Sequence, residues 1–194
     1  MASLILASAS PRRKELLGHL GVSFDIRAAD IDESVQTGEP PRAYVERLAR
    51  SKALTIATRE PQAHVVAADT SVVVDGEILG KPGADVTAGL RMLEKLHGRS
   101  HSVMTGVAVA HGTRVESLVV ETTVHFRSLT LAERRWYVST GEGHDKAGGY
   151  ALQGRAGAFI TTLRGSSTSV IGLPLSETAQ LLESMGFTLP WASA

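Results

Sequence analysis

The sequence predicts a mixed α/β protein with two lobes, and three observations lead there. The first half alternates strand-like and helix-like segments, the mark of β/α units. Near the middle, two long strand-like runs, "HSVMTGVAVA" and "VESLVVETTVHF", are joined only by "HGTR", as an antiparallel pair would be. No internal repeat or linker interrupts the 194 residues, a length that fits one domain or one domain built as two lobes around a cleft.

Taken in order, Leu4 to Ala7 reads as a buried strand. Ser10 followed by Pro11 reads as an N-cap and first helical residue, with Leu16, Leu17 and Leu20 as the inner face and Gly21 as the stop. "VSFDIRA" alternates like a half-buried strand, and "ADIDESVQTGEPP" is an acidic loop ending in proline at the next helix start. That helix, about residues 41 to 59, carries Val45, Leu48, Ala49, Ala53 and Ile56 on one face, and Lys52 falls on the same stripe. "HVVAAD" reads as a short buried parallel strand ending in Asp69, and "SVVVDGEIL" as a hairpin turning at Asp75 and Gly76. Asp85 caps a helix through Leu90, Leu93 and Leu96 that stops near Gly98. After the central strand pair come a helix near 130 to 140, a glycine-rich segment, strands around 158 to 163 and 168 to 172, and a last helix from about Pro174 to Met185.

Composition removes several classes of function. With no cysteine, disulfide staples, thiolate nucleophiles and zinc–cysteine sites are excluded. Twenty basic and twenty acidic residues cancel, which argues against stable binding of long nucleic acid through phosphate neutralisation. No stretch approaches the roughly 20 apolar residues of a spanning helix, so no membrane partner is expected. In "MASLILASASPRR" the charges follow the apolar run, the reverse of a secretory signal, which points to the cytoplasm.

Four local anomalies carry chemistry. Arg12, Arg13 and Lys14 crowd the start of a helix, where the exposed N–H groups already make a positive end; an anion reverses that sign. With the hydroxyls of Ser8 and Ser10 the segment fits a phosphate cradle, and it equally fits a surface helix with solvated arginines. It is not a P-loop, because the glycine spacing and the Lys-Ser/Thr pair are absent. Lys52, on a core-facing stripe, must snorkel outward or meet an anion. Asp69 closes an apolar run, where open α/β sheets place ligands, though such an aspartate also caps neighbouring turns. Glu33 in "DIDES" and Lys81 in "GKP" lie in loops, where plain solvation is the alternative. Asp145 and Lys146 fit turn positions, Gln153 can hydrogen-bond a base edge, and His64, His101 and His125 lack metal-ligand spacing and read as structural. Together these residues offer carboxylates for a divalent cation and basic groups for phosphates, the inventory that phosphoryl chemistry requires.

The blocks "LILASASPRRKELL", "DIDES", "RLARSKA", "AADTSVVVDGEILGKP", "MLEKLHGRSHSVMTGVAV", "DKAGGYALQG" and "VIGLPLSET" resemble, in order, those of the Maf family of nucleoside triphosphate pyrophosphatases, from about residue 3 to 187. The resemblance implies one Maf-like domain over residues 1–194, a mixed sheet with two lobes flanking a deep cleft, Maf/ITPase-like, and a homodimer. It also implies hydrolysis of a nucleoside triphosphate between the α and β phosphates, with a divalent metal, magnesium or manganese, shared by Glu33 and Asp69. In that reading Asp69 is the general base, Glu33 its acidic partner, and Lys52 and Lys81 handle phosphates. Ser8, Ser10, Arg12 and Arg13 match the opening block. Arg12, Thr70 and Gln153 resemble the branch that prefers dTTP and UTP, over an alternative branch acting on 7-methyl-GTP or other modified nucleotides. A non-enzymatic nucleotide- or nucleic-acid-binding regulator of cell division is the alternative from another class.

Overall fold

A computed structural model describes residues 3–193. The strands are β1 (Ser3–Leu6), β2 (Asp25–Ile26), β3 (Ala63–Val74), β4 (Glu77–Leu79), β5 (Ser100–His111), β6 (Arg114–Phe126) and β7 (Ile160–Arg164). The helices are α1 (Pro11–Gly18), α2 (Pro41–Ala57), α3 (Val86–Leu96), α4 (Leu131–Ser139), α5 (Ser167–Ile171) and α6 (Leu175–Ser184), with short 3-10 turns at Ala147–Gly149, Arg155–Phe159 and Pro190–Ser193. The strands pair in the order β2-β1-β3-β5-β6-β7, with β4 on β3 off that path. The sheet is mixed: β1 is parallel to β2 and β3, whereas β4 is antiparallel to β3 and β7 to β6.

The chain divides into two compact units, in agreement with the two-lobed expectation. The first comprises Met1–Asp69, Thr105–Val120 and Gly172–Ala194; the second comprises Thr70–Met104 and Glu121–Ile171. The first unit packs the inner face of α2 (Ala49, Ala53, Ile56, Ala57) against Ile5 and Ala7, and against Val65, Ala67, Ala108 and Ala110 on the strands. Small residues on both sides let helix and sheet approach closely. At Gly106 a Cβ would lie 2.6 Å from Val45 C and 2.9 Å from Glu46 N, and would strike Val45 O as well, so only glycine fits under α2. The second unit has an aromatic core of Phe126, Tyr137, Tyr150 and Phe159 with Leu93 and Leu96 of α3.

Most element starts follow the sequence. Ser10 caps α1, its hydroxyl accepting from Arg13 N, and Asp85 caps α3 through Thr87 N and Ala88 N. Asp75 and Gly76 both take positive φ, 52° and 78°, as a two-residue hairpin turn demands.

Three expectations are corrected. The strand at 168 to 172 is the helix α5, because Ser166 accepts from Ser169 N at 3.2 Å and starts a helical turn. The strand at "VSFDIRA" shrinks to Asp25–Ile26, since its partner β1 ends at Leu6. Asp69 does not end a strand: β3 runs unbroken from Ala63 to Val74. What ends is the parallel ladder, at Leu6 beside Val66, so Asp69 lies three residues beyond it on an uninterrupted strand.

Candidate active site

Within the first unit, the chain leaves β1, fixes Ala7 N on Val66 O at 2.8 Å, and turns into α1. Ser8 Oγ accepts from Ser10 N at 3.2 Å and from Arg13 Nη1 at 3.4 Å. Arg13 Nε donates to Gly172 O at 2.8 Å, so its guanidinium ties the helix start to the segment before α6. Burial lowers the Arg13 pKa from its ordinary value; Asp69 raises it, Arg12 lowers it and Glu33 raises it, in falling order. These charges share one neighbourhood.

At the centre stands Lys52. It is 7% exposed on the buried stripe of α2, and its Nζ lies 2.7 Å from both Asp69 Oδ1 and Glu33 Oε1. The ammonium therefore meets anions rather than snorkelling. Removing a charge from water is costly unless partners replace the lost hydration, and two carboxylates do so here. Asp69 is 8% exposed, whereas the Glu33 side chain is 52% exposed in the middle of the irregular loop between β2 and α2.

Side chains of α2 that the sequence reading passed over hold that loop. Tyr44 OH donates to Glu33 O at 2.9 Å, and Arg47 Nη2 donates to Ser34 O at 3.0 Å. Arg47 is in turn forked onto Glu39, with Nε–Oε1 at 2.5 Å and Nη2–Oε2 at 2.7 Å. Burial, then the charges of Asp69 and Glu33, raise the Tyr44 pKa and keep the phenol a donor at neutral pH. The available signal was the i, i+3 and i, i+8 spacing of Tyr44, Arg47 and Lys52 on one helix.

Thr70, Lys81 and Gln153 belong to the second unit. Lys81 is exposed in a segment tied to the glycine-rich loop by Gly148 N to Gly80 O and Gly83 N to His144 O, each 3.0 Å. Gln153 is exposed on a turn that Glu142 supports. Glu142 Oε1 accepts from Tyr137 OH at 3.1 Å, Glu142 Oε2 accepts from Arg155 N at 3.1 Å, and Tyr137 OH accepts from Ala151 N at 3.1 Å. Of the three histidines read as structural, His64 Nε2 bonds Met185 O, His101 Nε2 bonds Tyr150 OH and His125 Nδ1 bonds Ser100 Oγ.

No group of three or more metal-binding side chains occurs among the described residues. Glu33 and Asp69 nonetheless form a hard-oxygen pair. Magnesium-type ions bind proteins through one or two carboxylates and take their other ligands from water and substrate phosphates, so the donor set fits such an ion.

The fold and this centre define a mixed α/β protein with an acidic pair organised by a buried lysine. Residues 3–185 match the family model described as Maf-like protein, and the chain belongs to the Maf family. It is 52% identical over 191 residues to the dTTP/UTP pyrophosphatase of Myxococcus xanthus (strain DK1622), covering 98% of this chain and 96% of that protein. It is 54% identical over 193 residues to the protein of the same name from Anaeromyxobacter dehalogenans (strain 2CP-C), covering 97% and 96%. To the dTTP/UTP pyrophosphatase of Acinetobacter baylyi (strain ATCC 33305 / BD413 / ADP1) it is 50% identical over 178 residues, covering 92% and 97%. The Staphylococcus aureus Ham1 protein structure aligns with 64% of this chain and 71% of that one, at 16% identity and a TM-score of 0.47.

Proposed function

We propose that this chain is a nucleoside triphosphate pyrophosphatase that hydrolyses dTTP and UTP to the monophosphate and pyrophosphate. The observation that carries the reading is the convergence of Glu33 and Asp69 on the buried Lys52 ammonium, in a chain half identical to proteins named for that activity. Glu33 and Asp69 would hold a divalent cation, magnesium or manganese. When bound, that ion supplies a lowered pKa for water and turns the centre's formal charge from one negative to one positive, which favours a triphosphate.

The chain's own residues do the rest. Asp69, fixed by Lys52 on a continuous strand, takes the proton of the water that attacks the α phosphorus. Lys52 and Lys81, with Arg12 and the N–H groups and hydroxyls at the start of α1, neutralise the phosphates and the departing pyrophosphate. Arg13, anchored on Gly172 O, keeps that helix start in place and adds its charge. Arg12, Thr70 and Gln153 set the preference for a pyrimidine, since one glutamine amide can both donate to and accept from its carbonyl and imide edge. The catalytic domain spans residues 1–194, and the protein acts in the cytoplasm as a homodimer.

Pyrophosphate release from dTTP, UTP, CTP, GTP, ITP and 7-methyl-GTP at equal low concentration tests the reading. Release is greatest from dTTP and UTP, stops with EDTA, and falls at least about 100-fold in Asp69→Asn, the scale of a positioned acid–base group. A preference for 7-methyl-GTP or another purine refutes the pyrimidine assignment. Turnover unaffected by Asp69→Asn refutes the role of that carboxylate.

A further inference from the structure

Glu33 poses a mechanical problem. It sits in a stretch without regular secondary structure and is half exposed, yet its carboxylate stays within 2.7 Å of Lys52 Nζ. A glutamate on an unsupported loop samples several rotamers and several backbone positions, and an ion pair at an exposed site is too weak to freeze both.

The backbone of this loop is gripped at successive residues. Tyr44 OH holds the Glu33 carbonyl and Arg47 Nη2 the Ser34 carbonyl, at 2.9 and 3.0 Å, while Asp32 Oδ1 accepts from Ser34 N at 2.9 Å. Arg47 cannot swing away easily. Its guanidinium is forked onto Glu39, whose Oε2 also accepts from Gln36 N at 3.1 Å, and it lies 5.6 Å from the centroid of the Tyr44 ring. Tyr44, Arg47 and Lys52 all project from α2, so one rigid helix fixes both the main chain of Glu33 and its carboxylate. Neither Tyr44 nor Arg47 is needed to explain the packing of α2, whose buried face is formed by Val45, Leu48, Ala49, Lys52, Ala53, Ile56 and Ala57.

We propose that Tyr44 and Arg47 are positioning residues for the reaction, a clamp that holds the Glu33 main chain so that its carboxylate stays with Lys52 and Asp69. The proposal rests on the pyrophosphatase reading above and deepens it: reach and direction of the acidic partner are set by two side chains that bind the main chain of its loop.

Tyr44→Phe removes one oxygen and keeps the ring under Arg47, so it isolates the bond to Glu33. Four proteins are compared, namely wild type, Tyr44→Phe, Glu33→Gln and the double variant, by pyrophosphate release from dTTP with magnesium and by thermal melting. Tyr44→Phe lowers kcat about fivefold to tenfold, the effect of one hydrogen bond, with KM for dTTP and the melting temperature essentially unchanged. In the Glu33→Gln background the same substitution changes kcat by less than about twofold, because residues that act through one another are not additive. Arg47→Lys, which keeps the charge and loses the fork, behaves as Tyr44→Phe does and serves if that variant melts early. Wild-type kcat in both variants, or an undiminished loss on top of Glu33→Gln, overturns the clamp alone. A Glu33→Gln variant at full rate overturns the role of Glu33 and the clamp with it, and a wild-type protein that releases no pyrophosphate overturns the pyrophosphatase reading itself.

Discussion

Replacing Gly106 by alanine tests how the candidate site depends on the packing beneath it. The added Cβ would sit 2.6 Å from Val45 C and 2.9 Å from Glu46 N, both main-chain atoms of α2. Carbon atoms rest at about 3.5 to 4.0 Å, so helix and strand must part by roughly 1 Å. No side chain can rotate out of the way, because the obstacle is backbone on both sides. Overpacking of this kind destabilises by about 1–3 kcal/mol, and in a chain of this length each kcal/mol lowers the melting temperature by about 2–4 °C. Val45 and Lys52 lie seven residues apart on the same helix, so α2 carries the displacement to the ammonium held 2.7 Å from Asp69 and Glu33. A misplacement of 1 Å at reacting groups costs about 100-fold in rate. Gly106→Ala should therefore remain folded by circular dichroism, melt about 5 °C earlier, and release pyrophosphate from dTTP at least about tenfold more slowly. A variant with the wild-type melting temperature and turnover would show that α2 does not transmit packing to the centre.

Two further outcomes follow from charge. Lys52→Met leaves a buried Asp69 and a half-exposed Glu33 facing each other. Discounting Glu33, which can turn to water, the loss is about 2 kcal/mol, with turnover down by about 100-fold; magnesium should raise the variant's melting temperature more than that of wild type, and equal shifts would argue against the carboxylate pair as the cation site. Burial, and then the charges of His125 and Arg99, lower the His101 pKa from 6.5 to about 4. The unfolded chain takes up that proton first, so the stabilisation is complete above pH 6.5 and is lost as pH falls toward 4, by about 3 kcal/mol in all. Denaturant titrations of His101→Gln between pH 7 and 4 should show a correspondingly flatter decline, and an unchanged slope would remove His101 from the account.

How much of the fold could be read from the sequence depended on whether a signal was local. The stripe of α2, the Asp85 cap and the Asp75–Gly76 turn are each decided within a few residues, and they appear as expected. The strand through Asp69 was missed because a carboxylate after an apolar run looks like an end. The ladder that does end, β1 on β3, is defined by a partner far away in the chain, as Leu6 is from Val66. At α5 the local β-branched run was overruled by a serine hydroxyl that starts a helical turn.

The same distinction separates the legible part of the site from the hidden part. Lys52 and Asp69 announce themselves because an ionisable group among apolar residues must be explained, and the explanation is that they face each other. Glu33 had no such signal in its own loop; its assignment came from the resemblance, and its placement came from the structure. Tyr44 and Arg47 were invisible because they bind main-chain carbonyls, which every residue possesses, so nothing at positions 33 and 34 identifies them as partners. Gly106 was invisible for a related reason, since the atoms that forbid a Cβ are the backbone of Val45 and Glu46. Residue type thus reveals which groups carry charge into the centre, whereas the groups that hold the centre still act through the common backbone. Those supporting contacts are therefore where substitutions far from the reacting atoms should tell most about how this protein works.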